Sequence, residues 1–295
     1  MKCGYIGLGN MGGALARRII SEHELRVYDL RPETMDRFAD LGAIPTQSPK
    51  ALASECDTVM TCLPTSADVR EVIFGDDGLA AGLAEASVIA DMTTGDPVAT
   101  RAMAAELEAR GIHLIDAPVS GGPHGAEAGT IAIMVGGSKE IFDRIHPLFA
   151  SISPNIFHTG DVGTGHTMKL VNNVIAAGVR AITFEALTMG IKNGLGLESC
   201  VEVLHKGSAR SYTTETTLPK LLKGPFETSF ALGLMHKDVR LAAQLGIDSG
   251  APMFLANMVR EMFQEALNEH GPDKDVNTLI HCFERKAKTK VVQNR

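Results

Sequence analysis

Three glycines in the spacing Gly-x-Gly-x-x-Gly lie near the N-terminus, where an apolar run ends and an amphipathic helical pattern begins. The glycines are Gly7, Gly9 and Gly12, and the apolar run covers Cys3 to Leu8. A strand that turns directly into a helix needs glycine here, because the turn is tight, a ligand approaches the backbone, and the helix packs against the strand. The start of such a helix presents free N–H groups that bind phosphate. The spacing predicts a phosphate-binding βαβ unit.

An acidic residue, Asp29, ends the next predicted strand. A carboxylate at that position accepts hydrogen bonds from the ribose hydroxyls of an adenosine and repels a 2′-phosphate. With the glycines, it predicts a dinucleotide-binding Rossmann domain that prefers NAD. Arg31 leaves NADP possible, since a guanidinium can pair with or stack on an adenosine phosphate. The cofactor-binding residues predicted in this region are Gly7, Leu8, Gly9, Asn10, Met11, Gly12, Asp29 and Arg31.

Strand-like runs alternate with helical patterns up to about residue 160. This rhythm is typical of a mainly parallel sheet with helices on both faces, whose strands direct their carboxyl ends to one crevice. The predicted strands run from Cys3 to Leu8, Leu25 to Asp29, Thr58 to Leu63, Ser87 to Asp91, His113 to Asp116, Ile131 to Val135 and Asn155 to His158.

The pattern changes after residue 162, where strand signals end. One long helix, from Thr164 to Asn193, is apolar around much of its circumference, which predicts burial on most sides. Shorter helices are predicted near residues 198–206, 229–246, 253–269 and 275–287. We therefore expect an α/β protein with a Rossmann domain at 1–162, a long interdomain helix, and an all-α substrate and oligomerisation domain at 163–295. The basic tail from Lys286 onward is expected to be solvated.

Composition excludes several classes of partner. The 295-residue chain has a net charge of −7 and no basic block outside its tail, so nucleic acid is not an expected partner. Its five cysteines form no CxxC pair and no cysteine/histidine ligand spacing, which argues against disulfides and a bound metal. The N-terminus opens on a strand, and no long apolar stretch lacks polar groups. We expect a cytoplasmic protein without a membrane span.

Two segments carry candidate catalytic groups. In the first, Ser120 is followed by Gly121 and Gly122, whose N–H groups can converge on a substrate carboxylate, although a flexible glycine loop would look the same. In the second, Lys169 and Asn173 share one face of the long helix at i and i+4. Burial lowers the pKa of an ammonium group toward the range of general acid/base work. Lys169 could instead snorkel to solvent or pair with an acid.

Two further turns follow predicted strands at the same edge of the sheet. Leu63 and Pro64 lie at the end of the third predicted strand, and Thr94 follows the fourth. Each is typical of an ordinary turn, and only the shared edge makes them candidates for the cofactor site. Gly163 and Gly165, before Lys169, leave room for a ligand close to the backbone.

Taken together, the ordered motifs resemble those of the β-hydroxyacid dehydrogenase family, which includes 3-hydroxyisobutyrate dehydrogenase and tartronate semialdehyde reductase. The resemblance spans essentially the whole chain, and its motifs are Gly7 to Gly12, Asp116 to Gly122, Gly163 to Asn173 and Phe230 to Asp238. It implies that Lys169 is the catalytic acid/base, that Ser120, Gly121 and Gly122 bind the substrate carboxylate, and that Asn173 helps to hold the substrate. It also implies that Lys237 lies near the nicotinamide and that Leu63, Pro64 and Thr94 contact the cofactor.

The resulting hypothesis is oxidation of a small 3-hydroxy acid with NAD, or the reverse reduction, by a homodimer or homotetramer. An imine reductase or other semialdehyde reductase of the same fold and a non-catalytic NAD sensor are the alternatives. Imine reductases usually lack a lysine at the position of Lys169, and a sensor would be expected to lose part of the catalytic set. His124 and Arg210 are typical of surface residues but could recognise a second anionic group. His166 is interpreted as a helix-start residue and not as a base.

Overall fold

The computed structural model describes residues 2–224 and 230–292. The chain divides into two compact units, Met1–Lys169 and Leu170–Arg295. The division falls inside the long predicted helix, which runs from Thr164 to Lys192. Each unit has its own buried apolar core.

The first unit is built on one twisted sheet of nine strands. The strands are β1 Lys2–Ile6, β2 Glu24–Tyr28, β3 Ile44–Pro45, β4 Thr58–Thr61, β5 Val88–Asp91, β6 His113–Asp116, β7 Val119–Ser120, β8 Ala132–Gly136 and β9 Ile156–Gly160. Their order is β3-β2-β1-β4-β5-β6-β8-β7, with β9 paired to β8. The first six strands of this order, from β3 to β6, are parallel to one another. β8 runs antiparallel to β6 and β7. The predicted Rossmann arrangement with a mainly parallel sheet is confirmed.

Seven helices connect these strands: α1 Asn10–Ile20, α2 Pro32–Asp40, α3 Pro49–Ala53, α4 Ser66–Phe74, α5 Pro97–Glu108, α6 Gly122–Glu127 and α7 Lys139–Ala150. Several begin where the sequence supplies a cap. Ser48, Thr65, Asp96 and Ser138 each accept a backbone N–H of the helix that follows, which satisfies a donor that has no partner within the helix. Tyr5 on β1 and Phe149 on α7 are fully buried in the core on one face of the sheet.

The described part of the second unit contains helices and no β-strand. They are α8 Thr164–Lys192, α9 Leu197–Lys206, α10 Leu218–Leu221, α11 Leu232–Ser249, α12 Phe254–His270 and α13 Leu279–Ala287. Phe184 on α8 and Phe263 on α12 are fully buried at the centre of its core. The predicted helical second part is confirmed. Residue 229, where the second of its shorter helices was expected to start, lies outside the described residues.

The prediction that α8 is buried on most sides is wrong for the single chain. Met168, Val171, Ile175, Ile182 and Met189 are between 42% and 61% exposed. Among the described residues, α8 is the one helix long and apolar enough to cross a membrane by length and composition alone, and 39% of its most apolar window is buried. Core helices of water-soluble proteins meet the same criterion, and α8 also carries buried Lys169, Asn173 and Arg180.

Several short elements were missed by the sequence patterns. These are the two-residue strands β3 and β7 and a π-helical stretch, Thr213–Thr217, that continues into α10. The expected solvated tail is also partly wrong. Val291 and Val292 are buried, and their backbone N–H groups donate to Oε1 of Glu284 at 2.6 and 2.8 Å.

Candidate active site

The glycine turn between β1 and α1 is shaped by the chain's own contacts at two of its three glycines. Gly7 has a φ of +94°, and a Cβ there would lie 2.9 Å from Cδ2 of Leu63. A Cβ at Gly12 would collide with the carbonyl oxygen of Gly7. At Gly9 the nearest atom, Nη2 of Arg31, would be 4.0 Å away. The protein's packing does not require glycine at Gly9, so the turn leaves room there for a ligand.

The first turn of α1 provides donors for an anion. The helix begins at Asn10, and Gly9 before it has no side chain that could cap the helix. The first N–H groups of a helix have no partner within it, and the positive end of the helix dipole attracts negative charge. Asn10 is exposed and Met11 is partly exposed on this turn. The turn therefore fits the pyrophosphate of a dinucleotide.

Asp29 organises the end of β2 around this turn. Its Oδ2 accepts the backbone N–H of Leu8 at 2.7 Å, and its Oδ1 accepts the backbone N–H and the Nε of Arg31, each at 3.0 Å. Burial alone would raise the pKa of this carboxyl, but hydrogen bonds from the Arg31 side chain and the two N–H groups lower the pKa below its ordinary value. Asp29 is thus ionised at neutral pH, and it holds Arg31 beside Gly9.

The ends of β4 and β5 are joined by a chain of hydrogen bonds. The backbone N–H of Leu63 donates to Oγ1 of Thr93 at 3.0 Å, and the N–H of Thr93 donates to Oδ1 of Asp91 at 3.0 Å. Pro64 is exposed and Thr94 is partly exposed beside these groups. Leu63 and the glycine turn are therefore brought together at one edge of the sheet, and Pro64 and Thr94 follow adjacent strands at that same edge.

Asp116, at the end of β6, caps the first turn of α8. Its Oδ1 accepts the N–H of Gly163 and its Oδ2 accepts the N–H of His166, both at 2.6 Å. Burial raises the pKa of Asp116, while His166 and the two N–H groups act in the opposite direction. A fully buried carboxylate therefore fixes where the helix carrying Lys169 begins. The sequence patterns did not predict that Asp116 caps α8. An acidic residue at the end of a buried strand could have indicated it.

His166 is fully buried, with both ring nitrogens engaged by the first unit. Nδ1 lies 2.9 Å from Oγ1 of Thr100, and Nε2 lies 2.9 Å from the carbonyl oxygen of Thr93. Nε2 is also 3.8 Å from Oδ2 of Asp91. Since both nitrogens have partners inside the protein, the side chain positions the start of α8 and is not exposed to a substrate.

Gly163 and Gly165 serve packing within the chain and not the approach of a ligand. A Cβ at Gly163, where φ is +91°, would lie 2.5 Å from Nη1 of Arg101. A Cβ at Gly165 would lie 2.5 Å from the carbonyl oxygen of Met134 and 2.8 Å from that of Asp116. The first turn of α8 lies directly on the sheet because both positions lack a side chain.

The predicted carboxylate loop consists of the end of β7 and the start of α6. Ser120 ends β7, and Gly121 and Gly122 follow with φ of +139° and +70°. No atom lies within 4 Å of a Cβ built on Gly122. Positive φ at two successive residues favours glycine, and the space beside Gly122 is open to a ligand. This geometry suits an anion.

Lys169 and Asn173 lie one helical turn apart on α8 and are 8% and 5% exposed. Nδ2 of Asn173 donates to Oδ2 of Asp238 at 2.6 Å, and Oδ1 of Asn173 accepts from Asn172. Asp238 also lies 3.3 Å from Nζ of Lys237 through its other oxygen. Asp238 was overlooked in the sequence, although it directly follows Lys237. It is 1% exposed and joins Asn173 to Lys237 within the second unit.

Two other candidates lie at the surface. His124 is exposed on α6. Nε of Arg210 is 3.2 Å from Oε1 of Glu215, and the Arg210 side chain is 67% exposed. Neither residue is joined by these contacts to the groups described above.

The doubly wound sheet, the open glycine turn and the strand-end Asp29 together define the class of NAD(P)-dependent dehydrogenases. Residues 2–160 match the model of the NAD binding domain of 6-phosphogluconate dehydrogenase. Residues 163–283 match the model described as NAD-binding of NADP-dependent 3-hydroxyisobutyrate dehydrogenase.

Among similar proteins, 2-(hydroxymethyl)glutarate dehydrogenase of Eubacterium barkeri is 34% identical over 287 residues, which cover 97% of this chain and 95% of that protein. The structure of 3-hydroxyisobutyrate dehydrogenase from Mycobacterium tuberculosis with L-serine has a TM-score of 0.85 at 28% identity and covers 95% of this chain and 98% of its own. The chain belongs to the β-hydroxyacid dehydrogenase family. It is an NAD(P)-dependent dehydrogenase that acts on the CH–OH group of hydroxy acids, as the sequence motifs predicted.

The imine reductase alternative is not favoured. A variant of the imine reductase from Myxococcus stipitatus in complex with NAD⁺ has a TM-score of 0.64, covers 95% of this chain and 98% of its own, and is 17% identical. At that identity it shares the fold alone.

Proposed function

We propose that this enzyme oxidises a small 3-hydroxy acid to the semialdehyde or 3-oxo acid, or performs the reverse reduction, with Lys169 as the general acid/base. The observation that carries the proposal is the buried Lys169 one turn before the buried Asn173, whose amide is fixed by Asp238. A buried ammonium group next to an oriented amide suits proton exchange with a substrate hydroxyl.

A nicotinamide held at this site would supply the acceptor for hydride from the β-carbon. In oxidation, uncharged Lys169 takes the hydroxyl proton at Nζ, and in reduction the ammonium returns it. Asn173 donates one amide N–H to Asp238, and we assign its second N–H to the substrate hydroxyl. Asp238 acts as a positioning residue because it sets the orientation of that amide.

Ser120, Gly121 and Gly122 are proposed to bind the substrate carboxylate. The support is the pair of positive-φ glycines after a hydroxyl-bearing residue, with open space beside Gly122. Fixing the carboxylate positions the β-carbon, and fixed donors of this kind cost little reorganisation during the reaction.

For the cofactor, we propose that NAD is preferred and that NADP is used less well. The ionised Asp29 supports this, because a carboxylate accepts ribose hydroxyls and repels a 2′-phosphate. The proposed contacts are Gly7, Leu8, Gly9, Asn10, Met11, Gly12, Asp29, Arg31, Leu63, Pro64, Thr94 and Lys237.

We also propose the domain ranges 1–162 and 163–295 and assembly into a homodimer or homotetramer. The two family matches, at residues 2–160 and 163–283, support the first statement. The exposed apolar residues of α8 support the second, because isolated chains rarely expose such a row. The buried thiols Cys3, Cys56, Cys200 and Cys282, none of them in a disulfide, support a reducing compartment such as the cytoplasm.

The test of substrate class is an initial-rate assay with NAD and NADP against hydroxyisobutyrate, glycerate, serine, threonate and hydroxybutyrate, together with the corresponding semialdehydes or 3-oxo acids. We expect turnover of at least one 3-hydroxy acid and no turnover of the matched 2-hydroxy isomer, because the carboxylate loop fixes which carbon faces the nicotinamide. Equal rates on 2- and 3-hydroxy isomers would contradict the proposed substrate class.

A further inference from the structure

A second cluster of reactive side chains lies within the second unit, where α12 ends beside α13. Glu269 and His270 are the last two residues of α12, and Cys282 is on α13. Sγ of Cys282 is 3.6 Å from Oε2 of Glu269 and 3.9 Å from Nε2 of His270. That nitrogen and Oε2 of Glu269 are 3.8 Å apart. A thiol, an imidazole and a carboxylate thus form a nearly equilateral triangle.

The triangle has nearly the size of one face of a zinc coordination tetrahedron. With Zn–S of about 2.3 Å and Zn–N or Zn–O of about 2.0 Å, tetrahedral ligands are separated by about 3.3 to 3.6 Å. The observed separations are slightly longer, so closing on an ion requires only small side-chain rotations. This combination of sulfur, nitrogen and oxygen ligands suits zinc and not magnesium or calcium, which take oxygen ligands.

Neighbouring groups hold two of the three side chains in place. Arg285 binds Oε1 of Glu269 and also lies 2.9 Å from Glu265, which leaves Oε2 of Glu269 toward the thiol. The ring of His270 packs edge-on against His281, with centroids 5.9 Å apart. Preorganised partners of this kind are what orient metal ligands in known sites.

The cluster is accessible from solvent, and the charges around it are balanced. Cys282 is 2% exposed, whereas the side chains of His270 and Glu269 are 24% and 30% exposed, so the site opens to solvent on one side. Glu265 and Glu269 are paired with Arg285 and Lys286, which balances their charges. Burial and the neighbouring Glu269 raise the pKa of the Cys282 thiol to about 12, so Cys282 becomes a thiolate only when a bound cation displaces its proton.

We propose that Glu269, His270 and Cys282 bind one zinc-class divalent cation, with water as the fourth ligand. Binding replaces the thiol proton of Cys282 with a bond from Sγ to the metal, and the proton passes to water. The ion ties the end of α12 to α13. No local sequence pattern indicates this site, because its ligands come from two helices and match no metal-binding spacing.

The test uses full-length protein, stripped with a chelator and titrated with Co²⁺. Thiolate ligation to Co²⁺ produces a strong near-ultraviolet charge-transfer band, and Zn²⁺ should displace it at one equivalent per chain. We expect the band to disappear in Cys282→Ser and the Co²⁺ affinity to fall at least about 10-fold in His270→Gln and Glu269→Gln. Zn²⁺ should raise the Tm of wild-type protein and not of these variants.

Cys200→Ser is the matched control, because it replaces another buried cysteine, on α9. It should keep the band and the Zn²⁺-dependent rise in Tm. Dehydrogenase turnover checks that each variant is folded, and if Cys282→Ser does not fold, the partly exposed His270→Gln and Glu269→Gln decide the outcome. Absence of the band in wild-type protein, its persistence in Cys282→Ser, or a Co²⁺ affinity equal to that of wild-type protein in both His270→Gln and Glu269→Gln would overturn the proposal.

Discussion

Asp29 has two roles with opposite effects on the preference between NAD and NADP. Its carboxylate is proposed to accept the adenosine ribose hydroxyls, yet it also holds the cationic Arg31 next to Gly9. The first task favours NAD, and the second places a guanidinium where a 2′-phosphate could be bound. Which task dominates decides the cofactor preference of the enzyme.

Replacing Asp29 separates the two tasks. In Asp29→Asn we expect kcat/KM for NAD to fall about 10- to 100-fold, because hydrogen bonds to a charged group contribute about 1.5 to 3 kcal/mol. The value for NADP should fall less or rise, since the negative charge is removed while Arg31 remains. Steady-state kinetics with both cofactors measure the ratio. Arg31→Ala is the matched variant, and it should lower the NADP value more than the NAD value. An unchanged ratio in both variants would show that these residues do not select the cofactor.

Some residue-level features followed from local sequence, and others did not. The glycine turn and Asp29 were predictable because strand, turn and acid are close together in the chain. Asp238 was not, because its partner Asn173 comes from a distant helix. No local pattern shows that two polar groups far apart in sequence will be buried together.

Among the elements, α8 has the largest influence on the candidate site. Its first turn is capped by Asp116 and anchored by His166, which contacts Thr93 and Thr100. Lys169 lies one turn further along the same helix. A small shift of this turn would move Nζ of Lys169 relative to a substrate.

His166→Gln should therefore change chemistry more than binding. We expect kcat to fall roughly 10- to 100-fold, because misplacement of a catalytic group by about 1 Å has effects of that size. The KM for the dinucleotide should stay nearly unchanged. His113→Gln, at an exposed position on β6, is the control and should leave both constants unaltered. A lower Tm with unchanged kcat would assign His166 a purely structural role.

The bounds of α8 were predictable within one residue, because glycines lie before its first turn and just beyond its last. Its exposure was not. Apolar periodicity indicates that a helix face is buried by packing, but it does not show whether the residues that pack on it belong to the same chain. Short elements such as β3 and β7 were missed because two residues carry no periodicity.

For the whole molecule, the exposed apolar residues of α8 predict association of identical chains. Met168, Ile175, Ile182 and Met189 recur at heptad spacing, which places them along one side of the helix. Such a row is typical of a surface that packs against another helix.

Charge placed on this row should weaken assembly. We expect the double variant Ile175→Glu and Ile182→Glu to have a lower molar mass than wild-type protein in size-exclusion chromatography with light scattering, since each glutamate would have to lose its hydration in the interface. Leu41→Glu, at a half-exposed position after α2, is the control. An unchanged mass in the double variant would place the interface elsewhere.

The α/β class was predictable from the alternation of strands and helices, because that rhythm extends over half of the chain. The antiparallel β8 and the division of the chain within α8 were not, since both depend on contacts between segments far apart in sequence. The ordered motifs identified the family. The side chains that orient the motif residues, such as Asp238 and Asp116, were found only in the structure.

The proposed exchange of the proton of a 3-hydroxy acid at Lys169 is tested by the turnover of Lys169→Ala on the best substrate of the panel. We expect kcat to fall by about 10² to 10⁴, the usual contribution of general acid/base catalysis, while dinucleotide affinity is unchanged. Wild-type oxidation should gain rate as pH rises, and the variant should lose that dependence. Lys192→Ala, on the exposed end of the same helix, should behave as wild-type protein. Turnover of Lys169→Ala at the wild-type rate would contradict the assignment of Lys169 as the general acid/base.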